Sequence, residues 1–294
     1  MATGKSGRLQ VSAGRWRYLL SWFLLAVLSI DGTANDAWAG TPVPREGTLH
    51  GYQDYVYRVE ARNREGLSRG VFLWIDELPE PERTRTYEKL KQGGVEMRRL
   101  RKDDGEGVGQ IPGGMVHDWE GMVFIPGVKL EQVLGVLQDY NKHSQYYAPD
   151  VESARIESRE GDHFRVYMRF RRKKIVTVVL NTEQDVTYFR DSTTREHSRS
   201  SAVRIREVAN PGTKAEKEKS PEEANGFLWQ METWWRMEER DGGVYVQNEA
   251  VTLTRDIPAG LGWLIGPFVT SIPKETLEFT MNATRAAVLG QAQR

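Results

Sequence analysis

From Val151 onward the apolar positions of the chain recur with a period of two. Phe164, Val166, Met168 and Phe170 alternate with Arg165, Tyr167, Arg169 and Arg171, the pattern of a strand with one buried face. Residues 151–158 read as a strand before it, with a turn at Glu160-Gly161-Asp162 between the two. Residues 175–182, 186–190 and 198–208 follow as further strands. In the next strand Phe227, Trp229, Met231, Thr233, Trp235 and Met237 share one face, and Leu228, Gln230, Glu232, Trp234, Arg236 and Glu238 the other. Asp241-Gly242-Gly243 signals a hairpin, and residues 244–254 return as the last strand.

Helical spacing frames this run on both sides. Residues 118–126 read as a strand; Gly127 and Val128 then open a helix that carries Leu130, Val133, Leu134 and Leu137 on one face. Residues 141–149 continue as a short aromatic-rich helix or turn. At the far end Pro273 suits a first helical turn, where its missing N–H costs nothing. A helix then runs to Leu289, just before Gly290. Its polar residues Glu275, Glu278, Asn282 and Arg285 form one stripe, so most of its circumference is packed. Short turns between consecutive strands make an antiparallel meander, and the meander's apolar face needs a cover. The predicted fold class is α+β: a curved antiparallel sheet wrapped around a long C-terminal helix. A space between such a sheet and its helix is where a ligand would sit.

Two segments stand outside this pattern. Residues 40–114 read as an N-terminal extension with a strand at 71–75, a charged helix at 79–92, a strand at 95–101 and a glycine-rich loop at 103–114. Residues 210–226 have almost nothing to bury and read as a mobile, disordered loop within a domain spanning 115–290.

The element order and two local stretches resemble the START-like, or helix-grip, superfamily, which also holds polyketide cyclases and coenzyme-Q-binding proteins. One stretch is Trp119-Glu-Gly-Met-Val-Phe-Ile-Pro126, running into Leu130 to Tyr140 and then Tyr147 to Ser153. The other is Leu253 to Pro258, Gly260 to Leu264 and Ser271 to Glu275. The resemblance spans about residues 115–289 and implies a deep apolar cavity for lipids, quinones, sterols or polycyclic compounds. It carries over no catalytic residue.

The first 39 residues read differently. Lys5, Arg8, Arg15 and Arg17 precede an apolar run of 13 residues, 18–30. That run is short of the roughly 20 residues a spanning helix needs. Ala37-Trp38-Ala39 fits a small-x-small cleavage site, so a signal peptide cut after Ala39 and an exported protein, periplasmic or secreted, are expected. An uncleaved membrane anchor is the alternative. The 294-residue chain balances 41 basic against 41 acidic residues, which gives no general attraction for nucleic acid. With no cysteine it has no disulfide, thiol nucleophile or cysteine-held metal.

Other chemistry finds little footing. The glycines at 105–114 are not followed by Lys-Ser or Lys-Thr, and no Gly-x-Ser-x-Gly occurs. The histidines are scattered, so a metal would need His117 and His143 brought together with a carboxylate in space. Asp118 and Glu120 share a strand face and read as solvated. No catalytic residue, metal or cofactor is assigned. The candidate ligand-binding residues are Val166, Met168, Phe170, Phe227, Trp229, Met231, Trp235, Leu277 and Met281. Arg169, Arg171, Arg172, Lys173 and Lys174 are candidates for docking to anionic membrane headgroups, against a plainer reading as a solvated hairpin end. The expected function is binding or carriage of a hydrophobic small molecule without catalysis. A cavity-based enzyme of the cyclase or hydrolase kind and an envelope protein-interaction module stay open, as does the oligomeric state.

Overall fold

The computed structural model describes residues 43–100, 111–173, 177–256 and 262–292, with side chains in the last segment from Ser271 onward. The leader and its cleavage site, most of the glycine-rich loop and Lys174 lie outside the described residues. The alternating segments form strands β1 (Val95–Arg99), β2 (Gly114–Pro126), β3 (Val151–Glu160), β4 (His163–Lys173), β5 (Thr177–Arg190), β6 (Arg195–Ala209), β7 (Lys217–Glu218), β8 (Gln230–Arg240) and β9 (Gly243–Arg255). They pair antiparallel in the order β1-β2-β9-β8-β6-β5-β4-β3, with β7 paired to the end of β6. The β8–β9 hairpin turns at Asp241 (φ 58°) and Gly242 (φ 76°), the two left-handed positions that a tight hairpin of this hand requires.

Three differences from the sequence reading concern the sheet. β5 is one continuous strand where two are predicted, because the polar residues at its middle are satisfied by neighbours: Thr182 Oγ1 donates to the Met168 carbonyl at 3.1 Å, and Gln184 to Thr182 at 3.2 Å. Regular pairing of β8 begins at Gln230, so Phe227 and Trp229 precede the strand. Residues 210–226, expected to be disordered, carry β7 and a 3-10 turn at Pro221–Glu223. Glu207 anchors the end of this segment by accepting the backbone N–H groups of Asn225, Gly226 and Phe227 at 2.8–3.0 Å.

The helices are α1 (Glu46–Ser68), α2 (Glu82–Lys91), α3 (Leu130–Leu137), α4 (His143–Tyr146) and α5 (Gly262–Ala292). α5 starts earlier than predicted, so Pro273 lies inside the helix and not in its first turn. On the concave face α3, α4 and α5 enclose the main core, which includes Val123, Ile125, Phe164, Val166, Met237, Val246, Leu277, Met281 and Val288. The predicted polar stripe of α5 faces outward at Glu278 and Asn282. Its approach to the sheet is set by Gly121: a Cβ there would stand 3.1 Å from Met281 Cγ and 2.9 Å from Met97 Sδ.

The N-terminal segment is built into the domain, since residues 41–294 form one compact unit. α1, which the sequence reading does not contain, lays Tyr52, Tyr55, Val56 and Val59 against Val116, Trp234, Val251 and Leu253 on the convex side of β2, β8 and β9. The run 71–75, expected to be a strand, leads into a 3-10 turn at Trp74–Glu77. With Leu90 of α2 it covers Met122, Phe124 and Tyr245 on the same side. This half of the sheet is therefore buried on both faces, which is why β9 reads as an almost unbroken buried run.

Candidate functional site

α5 runs over β1, β2 and β9 and touches α3 and α4. The concave wall of the remaining strands is lined by alternate residues, as the period of two dictates. On β4 these are Val166, Met168 and Phe170; on β5 Thr182 and Gln184; on β6 Ser198 and Ser200; on β8 Met231, Thr233 and Trp235. Hydroxyls and amides thus interleave with Met, Phe and Trp on a single surface. They are buried: Thr182 and Ser198 are 0% exposed, Gln184 5% and Ser200 6%. Ser200 Oγ donates to Gln184 Oε1 at 3.0 Å, Gln184 Nε2 to Thr182 Oγ1 at 3.2 Å, and Thr182 Oγ1 to the Met168 carbonyl at 3.1 Å. Among the described residues Ser198 Oγ has no hydrogen-bond partner.

The structure brings together part of the predicted ligand set. Val166, Met168, Leu277 and Met281 belong to the concave core, with Phe170 and Trp235 packed against it. Met231 has the same inward register, half-buried. Trp229 is elsewhere: it packs on the convex side with Tyr52 and Leu253. Phe227 is exposed. The sequence reading missed the polar half of the wall, whose signal was the placement of Thr182, Gln184, Ser198 and Ser200 at inward positions of apolar strands.

The basic run is tied into ion pairs. Arg169 meets Glu152 at 2.8 Å and Glu216 at 3.0 Å, and Arg171 also pairs with Glu152. Arg172 turns inward at the edge of the wall and bridges Asp150 at 2.5 Å and Glu275 of α5 at 3.4 Å. Lys173 is exposed.

Asp118 and Glu120 do share a face, but α1 buries it, which corrects the reading of these acids as solvated. Tyr55 donates to Asp118 at 2.6 Å, Arg98 to Glu120 at 2.5 Å, and Arg62 and Asn63 to Glu249. Arg236 donates to the Phe72 carbonyl at 2.9 Å and to Asn63 Oδ1 at 3.1 Å. Burial raises the Asp118 carboxyl well above the usual carboxylate range, and neighbouring Glu249 adds to the shift. Burial likewise pushes Glu120 up to about 7, with Arg98 opposing. Asp118 fastens α1 to the sheet through Tyr55, while Glu120 ties β1 to β9 through Arg98 and Gln247.

The two histidines singled out as possible ligands make different contacts. His117 lies 3.1 Å from Thr254 Oγ1, and His143 Nε2 bonds the Val136 and Leu137 carbonyls. Burial lowers the His143 imidazole to about 4. Among the described residues no group of three or more His, Asp or Glu could hold a metal ion. Of two small clefts, one of about 170 Å³ is lined largely by charged residues, Glu131, Asp162, Arg190 and Glu196 among them, and one of about 160 Å³ by Leu67, Val71 and Phe72 with Asp191 and Arg195.

The sequence matches no protein-family model and no curated protein sequence. Among solved structures the chain is similar to a STAR-related lipid transfer protein of Xanthomonas axonopodis, at 16% identity and a TM-score of 0.41, with 65% of this chain and 98% of that chain covered. It is similar to the lipid transfer and protein localization domain of human StarD13, at 9% identity and a TM-score of 0.41, covering 72% and 98%. It is also similar to the Zhui aromatase/cyclase of Streptomyces sp. R1128, at 15% identity and a TM-score of 0.37, covering 61% and 95%. The element order of this chain is a strand, two short helices, an antiparallel meander, and a long C-terminal helix held in the meander's concave face. In this domain the sheet is extended by β1 and backed by α1.

Proposed function

We propose that this protein is an exported carrier that binds a hydrophobic small molecule on the concave wall, without catalysis. The observation that carries the reading is the lining of β4, β5, β6 and β8. Met168, Phe170, Met231 and Trp235 stand there beside inward hydroxyls and amides, where a purely structural core would hold hydrocarbon. Wide rings and pliable methionines suit a loosely specific apolar ligand, held by burial at about 25 cal/mol per Å² before entropic costs. Asp118 and Glu120, whose carboxyls burial raises, lie on the opposite face, and Glu196, raised by burial on the concave side, is held by Arg190 at 2.7 Å, which favours binding over acid–base chemistry. Export is supported by the leader and its Ala37-Trp38-Ala39 site. Docking of Lys173 and its basic neighbours to anionic lipid belongs to the same proposal, as the step that would bring the carrier to a membrane.

Native mass spectrometry of the chain purified from its own host tests both parts. A polypeptide beginning at Gly40 with a discrete extra mass, recovered by solvent as a lipid or quinone, is the expected result. A bare polypeptide that also fails to take up added hydrophobic probe would overturn the carrier reading. Trp235→Arg should abolish probe uptake, and unchanged affinity would move the site away from this wall.

A further inference from the structure

We infer that the ligand addresses this wall with an uncharged hydrogen-bonding group, a carbonyl or a hydroxyl, and not with a phosphate, carboxylate or ammonium group. The inference rests on the carrier reading and narrows it. The polar positions at the middle of the wall are Thr182, Gln184, Ser198, Ser200 and Thr233, with Asn248 beside them on β9. None of these ionises. On β4, β5, β6 and β8 the charged residues of inward register stand at the ends of the strands and are matched, while Arg99 of β1 and Arg159 of β3 share that register at exposed positions. At one end Glu196 meets Arg190 at 2.7 Å and Glu239 meets Lys129 at 2.7 Å. At the other Arg172 bridges Asp150 and Glu275, while Glu207 holds three backbone N–H groups and lies 3.5 Å from Lys219. His117 has inward register on β2, separated from the serines by β9 and β8, and bonds Thr254.

The hydrogen-bond chain through this region has one open member. Ser200, Gln184 and Thr182 pass their protons in one direction to the Met168 carbonyl. Ser198, two residues from Ser200, is 0% exposed, and among the described residues its hydroxyl has no hydrogen-bond partner. Its register neighbours are Tyr188 on β5 and Trp235 on β8. A buried hydroxyl left unmatched is costly, and a ligand carbonyl or hydroxyl would satisfy it as acceptor or donor. An ionised headgroup in the same place would lose its water and meet no countercharge from these residues.

A matched pair of ligands separates the two classes. Mature protein is loaded with the uncharged dye Nile red and titrated with dioctanoylglycerol or dioctanoylphosphatidate, which differ only in the phosphate; octylbenzene serves as a control without hydrogen-bonding groups. The expected result is displacement by the glycerol diester at a concentration at least about tenfold lower than by the phosphatidate. Ser198→Ala should weaken the diester by about fivefold, the value of one neutral hydrogen bond, and leave octylbenzene unchanged. Equal or tighter binding of the phosphatidate would overturn the inference and leave the carrier reading standing. A Ser198→Ala protein that binds the diester as before would overturn the role of Ser198. If Nile red and every competitor fail to bind, the carrier reading itself falls and takes this one with it.

Discussion

Glu120 on β2 and Glu249 on β9 stand directly opposite each other in the antiparallel register, each only 2% exposed. Two like charges in such a pair oppose folding unless each is compensated. Compensation comes from two different elements: Arg98 of β1 holds Glu120, and Arg62 of α1 holds Glu249. Asp118, on the same face, takes a hydrogen bond from Tyr55 of α1. The N-terminal helix is thus coupled to the protonation of the sheet beneath it.

The pH dependence of stability follows from the direction of the shifts. Glu120 is raised to about 7 and Asp118 is raised as well, so the native state holds protons that the unfolded chain has released. Their stabilising effect is present at acid pH and is lost as pH rises through the native values. His143, lowered to about 4, acts the other way and makes folding less favourable as pH falls below about 6.5. Above that value only the acids matter in this set. Melting temperature should therefore fall between pH 6.5 and 8.5, and Glu120→Gln should flatten the slope. A wild-type curve that is level over this interval would show that Glu120 is already ionised at neutral pH.

Arg62 illustrates how a half-exposed cation can matter. Its side chain is 45% exposed, but its partner Glu249 is 2% exposed. Arg62→Met would leave that carboxylate with Asn63, 3.2 Å away, and the more distant Arg236 field. Loss of about 1–3 kcal/mol is expected, below the full cost of breaking a buried pair because solvent reaches the guanidinium. Hydrogen exchange should show the opening concentrated in α1. Uniform loss of protection across the sheet would argue against this local fastening.

How much of this was legible depended on the cover of each strand face. The C-terminal helix, the β8–β9 hairpin and the inward set Val166, Met168, Trp235 and Met281 followed from spacing alone, because each strand face there meets a single environment. α1 was missed although Tyr52, Tyr55, Val56 and Val59 have the i, i+3, i+4, i+7 spacing of a helix face, since charged residues surround them. Without that helix, Asp118 and Glu120 looked solvated. Phe227 and Trp229 were assigned to the ligand face by extending the phase of β8 backward past Gln230, where pairing starts. The neutral row at Thr182–Ser200 was invisible because a period of two marks faces, and only the paired strands show which polar residues meet.

Glu207 should control the order of the charged segment after β6. Its carboxylate accepts N–H groups from Asn225, Gly226 and Phe227, and these are charge-assisted bonds at a buried acceptor. Glu207→Gln would keep the shape but turn an N–H₂ group toward these donors. Trypsin should then cut faster at Lys214, Lys217 and Lys219, with the sheet core still folded. Unchanged cleavage would mean that β7 pairing, not Glu207, holds the segment.

The seat of the gripping helix gives the sharpest test of the fold. Gly121 lies where α5 crosses β2, and any side chain there meets Met97 Sδ at 2.9 Å, Met281 Cγ at 3.1 Å and Leu277 Cγ at 3.3 Å. Alanine could be accommodated by shifts of the flexible methionine ends. Valine adds two more carbons against Leu277 and should cost about 1–3 kcal/mol through overpacking, read as a lower urea midpoint. If the clash with Met281 is the cause, Met281→Ala should cost less in the Gly121→Val background than in the wild type, a positive coupling between the two sites. Additive losses would place the damage in the backbone of β2 rather than in the contact with α5.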